Sequence, residues 1–243
     1  MTLTRIQKYL SEIGFSSRRE VERFIQDGWV AVNGSKITDP SIKIDPKVDK
    51  ISFDKKVQQT KAQYSYYLFN KPKDVVTVNA QEGETEILDI VKVPKGVVTV
   101  GRLDKFSTGL IILTNDPVVA RRLMDPDFYH EKEYLVEVTF PLNHRIIEQL
   151  KKPIEIYGQK TRPPIIVQKS SKKFLITLTE GKNRQIRKIC EAVGLRISFL
   201  HRVRIVNLQI ANLEAGQLKK LNQREVERLK KDLEIKEFEF EYF

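Results

Sequence analysis

Two short apolar runs joined by a polar turn constrain the fold of this chain more than any other feature. Residues 97–100 predict a strand, and residues 110–114 form an apolar run short enough to be a buried strand of a sheet. Gly101 and Gly109 bracket the turn between them, which carries one carboxylate, Asp104, close to the cation of Arg102. The pattern therefore predicts two sheet strands with an acidic side chain held on the turn between them.

The residues of this turn leave two interpretations of Asp104 open. An acid on a turn between two buried strands has a fixed position, and a fixed position suits chemistry. An aspartate near glycines in a turn more often caps the turn through its own side chain. Taken by itself, the turn sequence favours the capping role.

Length and charge narrow the class of protein. The chain has 243 residues, enough for a sizeable core and for two domains, one of them small. Its formal net charge of +11 favours a polyanionic partner, and both nucleic acid and an acidic membrane surface fit that description. No apolar stretch reaches the length of a membrane span, and the first five residues lack the apolar core of a secretory signal. We therefore expect a cytoplasmic protein.

Cysteine and histidine usage argues against metal and disulfide chemistry. One cysteine excludes an internal disulfide, and together with three scattered histidines it makes a structural zinc site a poor interpretation. The sequence has neither a P-loop nor a dinucleotide-binding glycine turn. We therefore expect no bound metal and no nucleotide cofactor.

The first 57 residues combine short helices with a hairpin. Residues 4–13 have apolar positions at helical spacing, and Ser17 three residues before Glu20 is a capping-box pattern for a second helix. Asn33 and Gly34 lie between two short strand patterns and support the positive φ angles of a tight turn. The basic side chains of this region are either RNA contacts or a solvated helix face, and they are Arg5, Lys8, Arg18, Arg19 and Arg23.

The rest of the chain alternates strands with helices. Residues 58–63 are polar and weakly patterned, as is typical of a linker. Lys71 and Pro72 end the next strand, where the lysine is either functional or solvated. Tyr134 lies in a strand pattern of residues 131–138, where a tyrosine most often packs half-buried with its hydroxyl at the edge. The tail of residues 238–243 alternates like a strand that either pairs with an open sheet edge or stays an unpaired terminus.

A helix with a basic N-terminal half is predicted over residues 183–193. Its buried stripe includes Cys190, which is therefore expected to be a small core residue and not a nucleophile. Arg184, Arg187 and Lys188 gather in the N-terminal half, where cations oppose the helix dipole. This unfavourable clustering indicates that the cations serve a function.

Several motifs together resemble a known enzyme family. They are Gly-Arg-Leu-Asp at residues 101–104, Thr-Gly-Leu at 108–110, Leu-Thr-Asn-Asp at 113–116, Asn-Lys-Pro at 70–72, Lys-x-Tyr at 132–134, Asn-Arg-Gln-Ile-Arg at 183–187, and Ser-Arg-Arg-Glu at 17–20. In this order, over residues 4–230, the chain resembles the RsuA/RluB/RluE/RluF family of S4-domain ribosomal RNA pseudouridine synthases. Residues 130–134 and 187–190 incline the resemblance to the RluF-like branch.

This resemblance implies an α+β fold with two domains. Residues 1–57 would form a small N-terminal S4 (α-L) RNA-binding domain, and residues 58–63 a linker. Residues 64–243 would form a larger catalytic domain, built on a mixed, mainly antiparallel β-sheet with flanking helices. The partner implied is a stem-loop of 23S ribosomal RNA, with transfer RNA as an alternative, and we expect a monomer.

The resemblance also implies a cofactor-independent reaction on a flipped uridine. Asp104 would act as nucleophile or base, and Tyr134 would stack on the uracil. Arg187 would pair with Asp104, because an adjacent guanidinium stabilises an ionised carboxylate. Arg102 would fill the vacated stack or hold a phosphate. The residues expected to contact substrate or RNA are Arg102, Lys71, Arg5, Lys8, Ser17, Arg18, Arg19, Arg184 and Lys188.

Two rival functions remain open from the residues. One is a non-catalytic S4-type RNA-binding factor in ribosome assembly, which the charge and the helix start at Ser17 fit equally well. That function gives no reason for Arg-Leu-Asp, Lys-x-Tyr and Gln-Ile-Arg to occur together. The other is the same isomerisation carried out on transfer RNA.

Overall fold

The computed structural model describes residues 3–59, 64–235 and 240–243, and the chain divides into two compact units. The first unit consists of Met1–Tyr64, Asp116–Val119 and Glu234–Phe243. The second consists of Ser65–Asn115 and Ala120–Leu233. Of the predicted linker, residues 60–63 lie outside the described residues, and residues 58 and 59 end a short helix.

The first unit is a small α/β module with its own core. Its elements up to the linker are β1 (Thr4–Arg5), α1 (Ile6–Glu12), α2 (Arg18–Gln26), β2 (Val30–Val32), β3 (Ser35–Ile37), β4 (Lys43–Ile44), β5 (Ile51–Phe53) and α3 (Lys56–Gln59). Helices α1 and α2 bury Ile6, Leu10, Val21, Phe24 and Ile25 against the strands. The apolar spacing that predicted the first helix is therefore its buried face.

Local signals in this unit act largely as expected. The Ser17 hydroxyl accepts a hydrogen bond from the Glu20 amide at 3.2 Å, which confirms the N-cap of α2. The Glu20 carboxylate does not complete the box, because it accepts a hydrogen bond from the Ser16 hydroxyl instead. Strands β2 and β3 pair antiparallel around Asn33 and Gly34, whose φ angles are +52° and +80°. The hairpin is therefore confirmed.

The second unit is built on one large sheet. Its elements begin with β6 (Tyr66–Lys71), α4 (Ile87–Ile90), β7 (Val98–Val100), β8 (Thr108–Thr114), α5 (Pro117–Met124, whose first residues belong to the other unit), a 3₁₀ turn (Pro126–Phe128), β9 (Lys132–Val138) and α6 (His144–Leu150). They continue with β10 (Glu155–Ile156), β11 (Gln159–Lys160), β12 (Ile165–Gln168), β13 (Lys173–Leu178), α7 (Gln185–Ala192), β14 (Ile197–Ile205), β15 (Leu208–Gln209), β16 (Leu218–Lys220) and α8 (Gln223–Asp232).

The strand order of the large sheet is β12-β13-β9-β14-β8-β6-β16, with β7 paired to β8 and β15 paired to β14. The pair β14–β8 is parallel, and the other pairs of this sheet are antiparallel. A mixed, mainly antiparallel sheet with flanking helices is thus confirmed. Strands β8, β14 and β9 lie side by side at its centre, so that residues from three distant parts of the sequence meet there.

A glycine permits the parallel pair at the sheet centre. Gly109 lies opposite Arg202 and has a φ of +109°. A Cβ atom at this position would lie 2.4 Å from the Arg202 carbonyl oxygen and 2.5 Å from its amide nitrogen. Strand β14 can therefore approach β8 this closely only because residue 109 has no side chain.

The C-terminal residues return to the first unit. Strand β17 (Glu241–Tyr242) pairs parallel with β5, and the Phe240 ring packs edge-on against Phe15 and Phe53 at centroid distances of 4.8 and 5.0 Å. The sequence assigned this tail to the second domain and left its pairing open. Residues 238 and 239 lie outside the described residues, and residues 240–243 occupy an edge of the β17-β5-β2-β3 sheet.

Candidate active site

The turn that carries Asp104 is fixed at its base by a buried threonine. The Leu103 amide donates to the Thr77 hydroxyl oxygen at 3.0 Å, and that hydroxyl donates to the Leu103 carbonyl oxygen at 2.7 Å. Thr77 and Leu103 are both buried. On the other side of Asp104, the Ser107 amide donates to the Asp104 carbonyl oxygen at 3.0 Å. The backbone on both sides of the carboxylate is thus held in place.

A buried lysine fastens the same turn to β6. The Lys71 ammonium donates to the carbonyl oxygens of Pro72, Val75 and Lys105 at 2.8, 2.7 and 3.2 Å, and the residue has 0% exposure. Burial lowers the pKa of Lys71 to about 8, while Asp74 and Asp104 act in the opposite direction. The structure therefore corrects two expectations for Lys71, a solvated side chain and a direct contact with RNA. The side chain is buried, and its ammonium supports the residue next to Asp104.

Two arginines of the basic helix surround the carboxylate. The Arg187 Nε atom lies 3.4 Å from Asp104 Oδ2, and its Nη2 atom donates to the Ser107 hydroxyl at 3.2 Å. The Arg184 Nη1 atom lies 3.6 Å from the same Oδ2. Arg187 lies where the resemblance implied, whereas Arg184, expected at the RNA, lies beside the carboxylate. The Asp104 charge offsets the unfavourable placement of cations near the start of α7.

Tyr134 lies near the centre of the sheet and lines the same cavity as Asp104. It lies on β9, between Ile176 of β13 and Arg202 of β14. A cavity of about 110 Å³ is lined by Asp104, Tyr134, Arg187 and the exposed Arg102, among others. The three residues implied as catalytic thus share one cavity.

Arg202 lies beside Tyr134 on the neighbouring strand β14, and the sequence did not predict a role for it. Arg202 is 3% exposed, and its Nε atom donates to the Leu110 carbonyl oxygen at 2.6 Å. Its Nη1 atom lies 3.4 Å from the Tyr134 hydroxyl. The neighbouring His201 is half-buried, with Nδ1 2.7 Å from the Thr108 hydroxyl, and burial lowers the pKa of its ring. His201 is therefore a satisfied polar residue.

Lys188 was expected to contact RNA, and Cys190 was expected to be a core residue of α7. The Lys188 ammonium lies 3.8 Å from the centre of the Tyr157 ring, and Lys188 is not among the residues that line the Asp104 cavity. Cys190 is fully buried, and burial raises the pKa of its thiol to about 12. Its expected place in the core is confirmed.

Four basic residues of the first unit were expected to contact RNA, and all four are exposed. Arg5, Lys8 and Arg18 are exposed and line one shallow depression together with Lys43, and Arg19 is exposed outside it. Lys8 lies 3.8 Å from the Glu12 carboxylate at the surface. The hydroxyl of Ser17, which the sequence assigned to RNA, caps the helix.

Within residues 3–59, 64–235 and 240–243, no group of three or more His, Cys, Asp or Glu side chains could hold a metal ion. Over the same residues, no helix has both the length and the hydrophobicity that a membrane span requires.

Comparison with known proteins identifies two families of domain and several relatives. Residues 65–192 match the family model of RNA pseudouridylate synthases, and residues 4–49 match that of the S4 domain. The dual-specificity RNA pseudouridine synthase RluF of Salmonella typhi is 34% identical over 226 residues, which cover 93% of this chain and 78% of that protein. Ribosomal large subunit pseudouridine synthase B of Bacillus subtilis is 30% identical over 94% of this chain and 96% of that protein. A crystal structure described as a pseudouridylate synthase superposes with a TM-score of 0.67 and 26% identity, over 93% of this chain and 99% of that one.

Proposed function

Because this chain belongs to the RNA pseudouridylate synthase family, we propose that Asp104, Tyr134 and Arg187 carry out its isomerisation of uridine. The single observation that supports these roles most directly is the cavity that the three side chains share with Arg102. A protein that only binds RNA would have no need to hold a carboxylate, a guanidinium and an aromatic ring in one cavity.

The reaction breaks the N1–C1′ bond of uridine and rejoins the base through C5, with no net gain or loss of electrons. Asp104 supplies the negatively charged oxygen, as nucleophile or as base. Arg187 orients that oxygen, because its planar guanidinium contacts both Asp104 and Ser107. The chemistry needs no electron carrier, in agreement with the absence of a nucleotide-binding motif in the sequence.

The uracil has to leave the RNA stack to reach this carboxylate. Tyr134 offers its ring as a surface for stacking, and its hydroxyl assists removal of the proton at C5. Arg102 is exposed at the rim of the cavity, where it can fill the vacated stack or contact a phosphate. Arg184 adds a second positive charge beside the carboxylate.

RNA is the partner, and we propose that the specific substrate is a stem-loop of 23S ribosomal RNA. The names of the relatives support this proposal, since one acts on the ribosomal large subunit and others are called dual-specificity enzymes. Transfer RNA stays an alternative substrate. Arg5, Lys8, Arg18 and Arg19 of the S4 module would grip phosphates and position the RNA.

We further propose that the enzyme acts as a monomer in the cytoplasm. The cavity that holds the three catalytic residues is lined by residues of one compact unit of one chain, so no second subunit is required to complete it. Ribosomal RNA as substrate supports the cytoplasmic location.

The test is a charge-removing substitution with a matched control. Asp104→Asn should bind RNA normally and form no detectable pseudouridine, because the amide can neither attack nor accept a proton. Asp232→Asn removes the same charge at an exposed position of α8 and should be fully active. Pseudouridine sequencing of ribosomal RNA, with each protein supplied to cells that lack the wild type, identifies the uridine. Pseudouridine formed by Asp104→Asn would disprove the assignment.

A further inference from the structure

A second cavity is also lined by Tyr134 and has no role in the mechanism described so far. Its volume is about 310 Å³, against about 110 Å³ for the cavity that contains Asp104. That volume lies at the lower end of the range for ligand pockets, about 300–1,000 Å³. Arg102, Tyr134 and Lys182 line both cavities, so a bound RNA could enter the two together.

The lining of the larger cavity carries more positive than negative charge. Its cationic lining residues are Arg102, Lys132, Lys182 and Arg202. Glu180 is the carboxylate among its lining residues, and one of its oxygens already accepts hydrogen bonds from the Gln185 side chain at 2.7 Å and from the Arg162 amide at 2.9 Å. The cavity therefore has unbalanced positive charge.

Two of these cations are poorly compensated. Arg202 is 3% exposed, and its Nη2 atom has no hydrogen-bond partner. The Lys132 ammonium has a carbonyl oxygen at 3.5 Å, that of His130, and burial together with the charge of Arg202 lowers its pKa to about 8. Neither cation forms an ion pair with any carboxylate among the described residues. Buried cations without a partner are unfavourable, so the site is suited to an anion.

The rest of the lining includes many apolar side chains. They include Val100, Ile112, Leu123, Met124 and Ile205. A lining that combines apolar side chains with cations suits a ligand with a flat uncharged face and a negative end. A nucleotide has this composition, because its base can pack on apolar side chains while its phosphate pairs with the cations.

We propose that this cavity binds the nucleotide next to the target uridine, with the phosphate that links the two nucleotides held by Lys132 and Arg202. The inference rests on the proposed function, because it takes RNA with a flipped uridine as the substrate. Tyr134 would then lie between two nucleotides, with the target uracil on the Asp104 side. The Arg202 contact to the Tyr134 hydroxyl would couple phosphate binding to the position of the tyrosine ring.

The test combines a protein variant with a chemical change in the RNA. The RNA is the hairpin in which the wild-type protein forms pseudouridine, made with one uncharged methylphosphonate linkage on the 5′ or on the 3′ side of the target uridine. For one of these linkages, wild-type affinity should fall about tenfold, as expected for loss of a charge-assisted hydrogen bond. Lys132→Met should lose a similar factor on the natural RNA and should show no further loss on the modified RNA.

A matched variant controls for the general loss of charge. Lys172→Met removes an exposed lysine outside both cavities and should stay as sensitive to the modified linkage as the wild type. Lys132→Met should also reduce the slope of log affinity against log salt by about 0.7, whereas Lys172→Met should not. Equal sensitivity of Lys132→Met and the wild type to both linkages would overturn the inference.

Three further outcomes are distinguishable. If neither linkage matters, but inorganic phosphate raises the melting temperature of the wild type and not of Lys132→Met, the cavity binds a free anion and the assignment to RNA is overturned. If the wild type forms pseudouridine and neither linkage nor phosphate has an effect, the inference fails while the proposed function stands. If the wild type forms no pseudouridine in any RNA, both fail.

Discussion

Replacing Gly109 by alanine tests the central architectural feature of the site. Gly109 lies on β8 opposite Arg202 of β14, in the parallel pair of the sheet. A Cβ atom there would lie 2.4 and 2.5 Å from backbone atoms of Arg202. Rotation of a side chain cannot relieve these contacts, because the atoms belong to the backbone. In Gly109→Ala, the two strands must therefore move apart.

The expected loss of stability has two parts. An alanine at a φ of +109° is strained by about 1–3 kcal/mol, and the overlap with strand β14 adds about 1–3 kcal/mol. A total near 4 kcal/mol corresponds to a decrease of about 8–16 °C in melting temperature for a domain of this size. Turnover should fall as well, because Arg202 contacts both Leu110 and Tyr134.

Gly83→Ala provides the control for backbone strain alone. Gly83 has a φ of +79°, and a Cβ atom there would have no neighbour within 4 Å. Its melting temperature should fall by about 2–4 °C per kcal/mol of strain, with activity retained. Differential scanning calorimetry of the two variants separates strain from overlap. Equal losses in both variants would refute the argument that close approach of β14 requires the glycine.

Three other predictions concern groups with distinct surroundings. Lys71→Met leaves three carbonyl oxygens without their donor and should lower kcat more than it changes KM, because the catalytic turn loses its support; a change confined to KM would contradict this. Phe240→Ala should destabilise the first unit by about 1–3 kcal/mol, measured by urea unfolding with the fluorescence of the single tryptophan, Trp29; an unchanged midpoint would show that the tail contributes nothing. Burial lowers the pKa of Lys71 and of Lys132 from 10.5 to about 8, so the unfolded chain binds more protons than the folded chain between pH 8 and pH 10.5. The free energy of unfolding, measured by the urea midpoint, should therefore rise from about pH 8 to 10. The rise should be smaller in Lys132→Met.

Local patterns predicted the elements that carry the site. The two apolar runs around Asp104 form β7 and β8, the apolar stripe containing Cys190 is the buried face of α7, and Ser17 caps its helix. These features depend on residues a few positions apart, whose spacing sets backbone conformation and the buried face. The position of Arg187 beside Asp104 was available only from the resemblance, because the two residues are 83 positions apart.

Contacts between distant strands were beyond local reasoning. Nothing near Lys71 in the sequence shows that three carbonyl oxygens will surround its ammonium, one of them from Lys105. Thr77 holds Leu103 in the buried turn, although the two residues are 26 positions apart. Arg202 and Tyr134 are 68 positions apart, and no nearby residue indicates that they are in contact. Each of these contacts is set by sheet register, which a local pattern does not determine.

Three cations of the second unit differ in how their surroundings compensate for burial. Lys71 and Arg202 are buried and Lys132 is half-buried, and a hydrophobic residue of similar size at Lys132 or Arg202 would avoid the desolvation of a charge. Lys71 compensates for burial through three carbonyl oxygens, whereas Lys132 and Arg202 have no comparable set of acceptors. If a phosphate completes their surroundings, Lys132→Met should raise the melting temperature of the free protein and lower its affinity for RNA. A purely structural lysine would lose stability on the same substitution, so the sign of the temperature change alone distinguishes the two roles.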